Sequence, residues 1–220
     1  MKGPAAAWVL ERLEACGVIP VVMPPKPALA ADLGAALVEG GLPCIEIVFR
    51  ADGGLGAISR LRGSSALVVG AGTVLTIAQA RDAIAAGAQF LVSPGSNPAV
   101  IDLALKAGIL IVPGVATPSE IESNLARGID VVKLFPAEVL GGVRFLKAMS
   151  GPYGTVRFVP TGGIDLKNLA EYLAQTNVLA CGGSWIAPPA SLAAGDFDSI
   201  VRRAREAAAV VQAARAGRSV

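Results

Sequence analysis

The chain has 220 residues, 53% hydrophobic and only 16% charged, with 5% aromatics and no histidine. Such a length buries a large aliphatic core without a disulfide or structural metal, and 19 basic against 17 acidic residues, net +2, give no electrostatic reason for a nucleic-acid or membrane-surface partner. The absence of histidine excludes Ser-His and Cys-His nucleophile pairs and imidazole-bound zinc or iron, so a general base here is Asp, Glu, Lys, Tyr or Cys.

The elements repeat. A helix over 5–15 opens the chain, and short apolar, β-branched runs follow at 18–22, 44–49, 66–69, 89–92, 109–112, 131–135, 156–159 and 178–181. Helix-like segments stand between them at 28–39, 77–86, 98–106, 118–126 and 166–174, and an Ala-rich amphipathic helix over 199–214 closes the sequence. The strand runs are almost wholly apolar, as parallel strands covered on both faces are. Eight strand–helix units predict a (β/α)8 TIM barrel, with the extra N-terminal helix capping its bottom, as a single domain over 1–220. A doubly wound sheet is the weaker alternative, because Met23-Pro24-Pro25-Lys26 after the first strand is no dinucleotide fingerprint.

The mean hydropathy of +0.60 raises a membrane reading. The uncharged stretches 83–101 and 172–195 are broken by Pro94, Gly95 and Pro98, and by Gly182, Gly183, Pro188 and Pro189, so neither is a continuous span. No secretory h-region follows Met1. The three cysteines, Cys16, Cys44 and Cys181, are far apart in sequence and form no CxxC, which reads as buried thiols in a reducing, cytoplasmic setting.

In a barrel, chemistry sits at the carboxyl ends of the strands. Lys133 lies inside Val131-Val132-Lys133-Leu134-Phe135, and alternation turns Val131, Lys133 and Phe135 to one face. Burial disfavours an ammonium, and a neutral amine attacks a carbonyl to give a Schiff base. The plainer alternative is a lysine that reaches water or is paired structurally. Glu46, in Cys44-Ile45-Glu46-Ile47-Val48-Phe49-Arg50, is the acid in mid-strand, and it shares a face with Val48 and Arg50. A carboxyl in an apolar barrel suits acid–base work, while the planar fork of Arg50 suits a substrate carboxylate. An internal ion pair among these groups is the structural alternative. Two glycine turns, at Thr161-Gly162-Gly163 and Gly182-Gly183-Ser184, fall after the last two strands, where barrels often bind phosphate. Thr73 and Ser93-Pro94-Gly95 close two further strands, and taken singly they read as a helix cap and a tight turn.

An amine nucleophile, a carboxyl acid–base, an inward arginine and a phosphate cradle point to imine-mediated carbon–carbon bond chemistry on a keto acid carrying a phosphate. The segments Glu46–Arg50, Gly70-Ala71-Gly72-Thr73, Ser93-Pro94-Gly95, Pro113–Glu120, Lys133-Leu134-Phe135-Pro136-Ala137-Glu138, Thr161-Gly162-Gly163 and Gly182-Gly183-Ser184-Trp185, in this order, resemble the 2-keto-3-deoxy-6-phosphogluconate (KDPG) aldolases and the related 4-hydroxy-2-oxoglutarate (KHG) aldolases. The resemblance covers roughly residues 18 to 205 and implies a metal-free class I aldolase that needs no cofactor, usually a homotrimer. The activity the resemblance implies is the splitting of KDPG, a small keto-acid phosphate, into pyruvate and glyceraldehyde 3-phosphate.

By that resemblance Lys133 is the Schiff-base lysine and Glu46 the general acid–base, acting through water. Arg50 and Thr73 bind the pyruvate carboxylate and Pro94 shapes that pocket. Phe135 lies beside the imine and Thr161 meets substrate hydroxyls. Gly162, Gly163, Gly183 and Ser184 hold the phosphate. The chain departs from the family at Val48 and Ala51, where threonines are usual, so the pocket loses a hydroxyl and fine substrate preference is open. Other readings are cleavage of unphosphorylated KHG, cleavage of the 6-phosphogalactonate epimer, and a non-catalytic phosphate-binding or scaffold barrel. The last is disfavoured because each unpaired inward ion costs several kcal/mol, on the order of what aliphatic replacement would recover.

Overall fold

The computed structural model describes residues 3–24, 26–49 and 53–217. Nine strands appear in it: β1 (Val18–Val22), β2 (Cys44–Val48), β3 (Val68–Gly72), β4 (Phe90–Val92), β5 (Leu110–Val112), β6 (Gly114–Val115), β7 (Val131–Leu134), β8 (Arg157–Phe158) and β9 (Cys181–Gly183). All pair in parallel, in the orders β5-β4-β3-β2-β1-β9 and β6-β7-β8. Strands β5 and β6 are one stave interrupted at Pro113, whose carbonyl still accepts from Lys133 N–H at 2.8 Å. Bridges Phe158↔Val178 and Thr161↔Gly182 join β8 to β9 and close the ring. The eight staves are those of the predicted TIM barrel.

The helices are α1 (Pro4–Cys16), α2 (Ala30–Glu39), α3 (Gly54–Leu61), α4 (Ile77–Ala86), α5 (Pro98–Lys106), α6 (Pro118–Leu125), α7 (Gly142–Ser150), α8 (Leu169–Leu173), α9 (Pro189–Ala194) and α10 (Phe197–Ala216). Strand sequences such as Val-Ile-Pro-Val-Val in β1 and Cys-Ile-Glu-Ile-Val in β2 have almost every side chain buried, since both sheet faces are covered. Helices α4 and α6 begin at full capping boxes, Thr76 with Gln79 and Thr117 with Glu120. Helix α1 lies across the amino ends of β1, β2, β3 and β5, and Glu14 Oε1 ties it to Arg157 Nη2 of β8 at 2.7 Å. It is the expected bottom cap. Helix α10 packs on α2 and α8.

Three departures from the sequence reading have physical reasons. Strand β3 runs through Gly70-Ala71-Gly72 because a Cβ there would meet neighbours: the Phe90 ring at 2.2 Å from Gly70, and Glu46 Oε1 at 2.2 Å from Gly72. Strand β9 is Cys181-Gly182-Gly183, not the turn expected there, because its glycines admit Thr161 Oγ1 (2.2 Å from a Cβ at Gly182) and the Trp185 ring. Helices α3, α7 and α9 go beyond the helices expected from the sequence; they are short, and two of them begin on glycine.

The cysteines are buried and form no disulfide, as expected, but they are not all apart: Cys44 Sγ lies 2.9 Å from Cys16 Sγ, and both thiols face the Val18 carbonyl at 3.3 and 3.0 Å. Burial, and then the contact with Cys16, push the Cys44 thiol well above its ordinary value. Its reactive thiolate is therefore scarce near pH 8 and stays scarce as pH rises toward 9. Iodoacetamide is expected to leave the native protein's three cysteines largely unmodified at pH 8, and to alkylate all three in urea, by intact mass. Rapid native labelling of Cys44 would contradict this burial.

Among the described residues no helix is long and apolar enough to cross a membrane, and no group of three His, Cys, Asp or Glu side chains is placed to hold a metal ion.

Candidate active site

Strands β2 and β7 each carry one ionisable side chain into the barrel mouth. Glu46 is 2% exposed and Lys133 is 6% exposed, and Lys133 Nζ stands 3.4 Å from Glu46 Oε1. A fully engaged ammonium–carboxylate bond is about 2.7–2.9 Å long, so this pair compensates charge without locking the amine. Gly72 has no Cβ, and that leaves the volume Glu46 occupies. The Phe135 ring centroid lies 5.4 Å from Lys133 Nζ, within cation–π range.

The pair sits in a cavity of about 590 Å³. The predicted residues Glu46, Thr73, Lys133, Phe135, Thr161, Gly162, Gly163 and Ser184 line it, as does Val48, which points inward as expected. Gly183 and Pro94 do not line it. Gly183 is buried beneath Trp185, where a Cβ would meet the indole at 2.2 Å, and Pro94 turns its carbonyl toward Gly114, 2.1 Å from where a Cβ would stand. Arg50 and Ala51 lie outside the described residues. Thr73 does not cap α4, since Thr76 does; instead it holds φ +60° at the cavity wall, a conformation costly for a β-branched residue.

The two glycine loops share a backbone pattern. The carbonyls of Thr161, Gly162 and Gly163 accept from Ala137 N–H (2.8 Å), Glu138 N–H (3.1 Å) and Asn168 Nδ2 (3.0 Å). Among the described residues the N–H groups of Gly162, Gly163 and Ile164, and of Ser184 and Trp185, donate to no protein acceptor. Gly162 and Gly163 hold φ +100° and +83°. Successive free N–H groups of this kind form an anion-binding concavity.

Sequence reasoning missed other wall residues, including Met23, Ile164, Trp185 and Pro188. The one available signal was Gly183 two residues before a tryptophan, a small position that seats a large ring. Other cavities differ in kind. One of about 70 Å³ under α1, lined by Ala6, Leu110 and Ile129, is apolar. Another of about 600 Å³ lies outside the barrel between α2 and α3. Neither gathers buried ionisable groups.

Barrel and site together define a class I aldolase, an enzyme whose amine takes a ketone as an imine. The profile of the family described as KDPG and KHG aldolase matches residues 9–203. The chain is 50% identical to the 2-dehydro-3-deoxy-phosphogluconate aldolase of Treponema pallidum (strain Nichols) over 92% of this chain and 97% of the relative. Among solved structures, it is similar to the KDPG aldolase of Legionella pneumophila, which holds pyruvate captured at low pH as a covalent carbinolamine intermediate. That match has TM-score 0.86 and 37% identity, over 90% of this chain and 96% of the other. It is likewise similar to the enzyme of Zymomonas mobilis ZM4 with 3-phosphoglycerate, at TM-score 0.87 and 35% identity, over 93% and 97% of the chains. The chain belongs to the KDPG and KHG aldolase family.

Proposed function

We propose that the protein cleaves KDPG to pyruvate and glyceraldehyde 3-phosphate through an imine on Lys133. The observation that carries this is the buried Lys133–Glu46 pair, 3.4 Å apart at the barrel mouth. The Lys133 amine adds to the C2 ketone, and the carbinolamine loses water to give a protonated imine. Glu46, through a water, takes the C4 hydroxyl proton. The C3–C4 bond then breaks, its electrons pass to the imine nitrogen, and glyceraldehyde 3-phosphate leaves. The remaining enamine is protonated at C3, and water releases pyruvate and the free amine.

In this reading Thr73 and Arg50 take the pyruvate carboxylate, and Phe135 covers the imine. Pro94 acts from behind the wall by setting the turn in which Ser93 Oγ donates to the Gly95 carbonyl at 2.6 Å. Thr161 meets the substrate hydroxyls. The free N–H groups around Gly162, Gly163 and Ser184 receive the phosphate, with Gly183 admitting the Trp185 ring that floors the second loop. The chemistry needs no cofactor. The same reading takes residues 1–220 as one barrel domain, cytoplasmic and homotrimeric, with its apolar, Ala-rich helices as the contact surface, and without nucleic-acid or membrane partners.

One observation keeps other substrates in view: Val48 lines the pocket without a hydroxyl, so this position does not discriminate among KDPG, KHG and the 6-phosphogalactonate epimer. Pyruvate release coupled to lactate dehydrogenase decides between them. The expected result is a higher kcat/KM on KDPG than on KHG. Equal or reversed values would remove the phosphate from the reading.

A further inference from the structure

Two side chains outside the cavity brace the phosphate loop. Glu138, in the turn after β7, lays its Cβ and Cγ over Gly163, at 2.7 and 2.5 Å from where a Cβ on that glycine would stand. Its N–H already holds the Gly162 carbonyl. Its carboxylate accepts a short hydrogen bond from the phenol of Tyr172 on α8. Tyr172 is 1% exposed, so its ring is fixed in the core. Gly142 leaves the room in which the two oxygens meet, since a Cβ there would lie 2.6 Å from Tyr172 Oη and 2.8 Å from Glu138 Oε1. Burial, followed by the Glu138 carboxylate, pushes the Tyr172 phenol up, so the donor proton stays in place.

From this geometry we infer that Glu138 and Tyr172 are positioning residues that determine specificity for a phosphorylated substrate. They pin the loop with the carbonyls of Thr161, Gly162 and Gly163 turned to protein donors and the N–H groups of Gly162, Gly163 and Ile164 left for an anion. The inference rests on the phosphate reading above. Neither residue lines the cavity that holds Lys133 and Glu46, so the pair acts on phosphate binding and leaves imine formation untouched.

The test compares Tyr172→Phe, Glu138→Ala, Glu138→Gln and the double variant Tyr172→Phe/Glu138→Ala with the wild type. KM for KDPG is expected to rise about tenfold in Tyr172→Phe and in Glu138→Ala, the size of one net hydrogen bond to a charged group. The values of kcat on KDPG, kcat/KM on KHG, and the rate of borohydride trapping with pyruvate are expected to stay within about twofold. The carboxamide of Glu138→Gln still accepts from the phenol and is expected to restore KM. The double variant is expected to be no worse than the weaker single one, because both remove the same contact. Equal losses on both substrates, or unchanged KM in both single variants, would overturn the inference while leaving KDPG cleavage intact. A wild type that shows no preference for KDPG and no competition by inorganic phosphate would overturn the phosphate reading and the inference together.

Discussion

Lys133→Ala is expected to lose KDPG cleavage by about 10⁴-fold or more, because removing a covalent nucleophile leaves only binding and electrostatic assistance. Among the described residues no other lysine lines the cavity. Lys133 is the lysine on a strand, 6% exposed, within 3.4 Å of Glu46, whereas Lys106 and Lys147 lie on outer helices. The protein should still fold, since the large apolar core of the barrel is untouched. The truncation opens a void and takes away the partner that Glu46 faces, and both of these lower stability. Lys133→Met fills the same volume and separates the two effects. Both variants should be inactive by pyruvate release, and Lys133→Met should melt above Lys133→Ala but below the wild type, because it fills the void and still leaves Glu46 without its partner. An active Lys133→Met enzyme would end the imine mechanism.

Glu46→Gln is expected to lower kcat on KDPG by about 10²–10⁴-fold, the usual contribution of a positioned acid–base group. The loss should fall on the C–C bond step. The carboxamide keeps the shape that fits over Gly72, so the ketone can still reach Lys133, and pyruvate should still be trapped by borohydride in this variant. It should be trapped more slowly, because proton transfers also assist imine formation. Unchanged kcat would assign the base elsewhere. Loss of all trapping would make Glu46 essential to imine formation and contradict a loss that falls mainly on the C–C bond step.

The parts of this site legible in the sequence were those that break a pattern. A lysine and a glutamate inside apolar runs contradict burial, and the contradiction itself located them on the cavity wall. The eight-stave barrel followed from the spacing of those runs, as the strand pairing bears out. Strand ends were harder. Gly70-Ala71-Gly72 and Cys181-Gly182-Gly183 have poor strand propensity, and only the ring of Phe90, the Glu46 carboxylate and the Thr161 hydroxyl packed against them explain why they extend β3 and β9. The backbone of Thr73 could not be foreseen, because nothing in a threonine signals φ +60°. The Glu138–Tyr172 brace joins residues from two separate segments and depends on the missing Cβ of Gly142, a long-range fact with no local signature. The Cys16–Cys44 contact was hidden for the same reason: 28 residues separate two thiols that the packing of α1 beneath β2 brings together.

The most direct test of the central claim is borohydride reduction of the wild-type protein in the presence of pyruvate, followed by intact mass and peptide mapping. The account predicts one reduced pyruvyl group per chain, located on Lys133. A folded protein that acquires no adduct, or acquires it on another lysine, would contradict it.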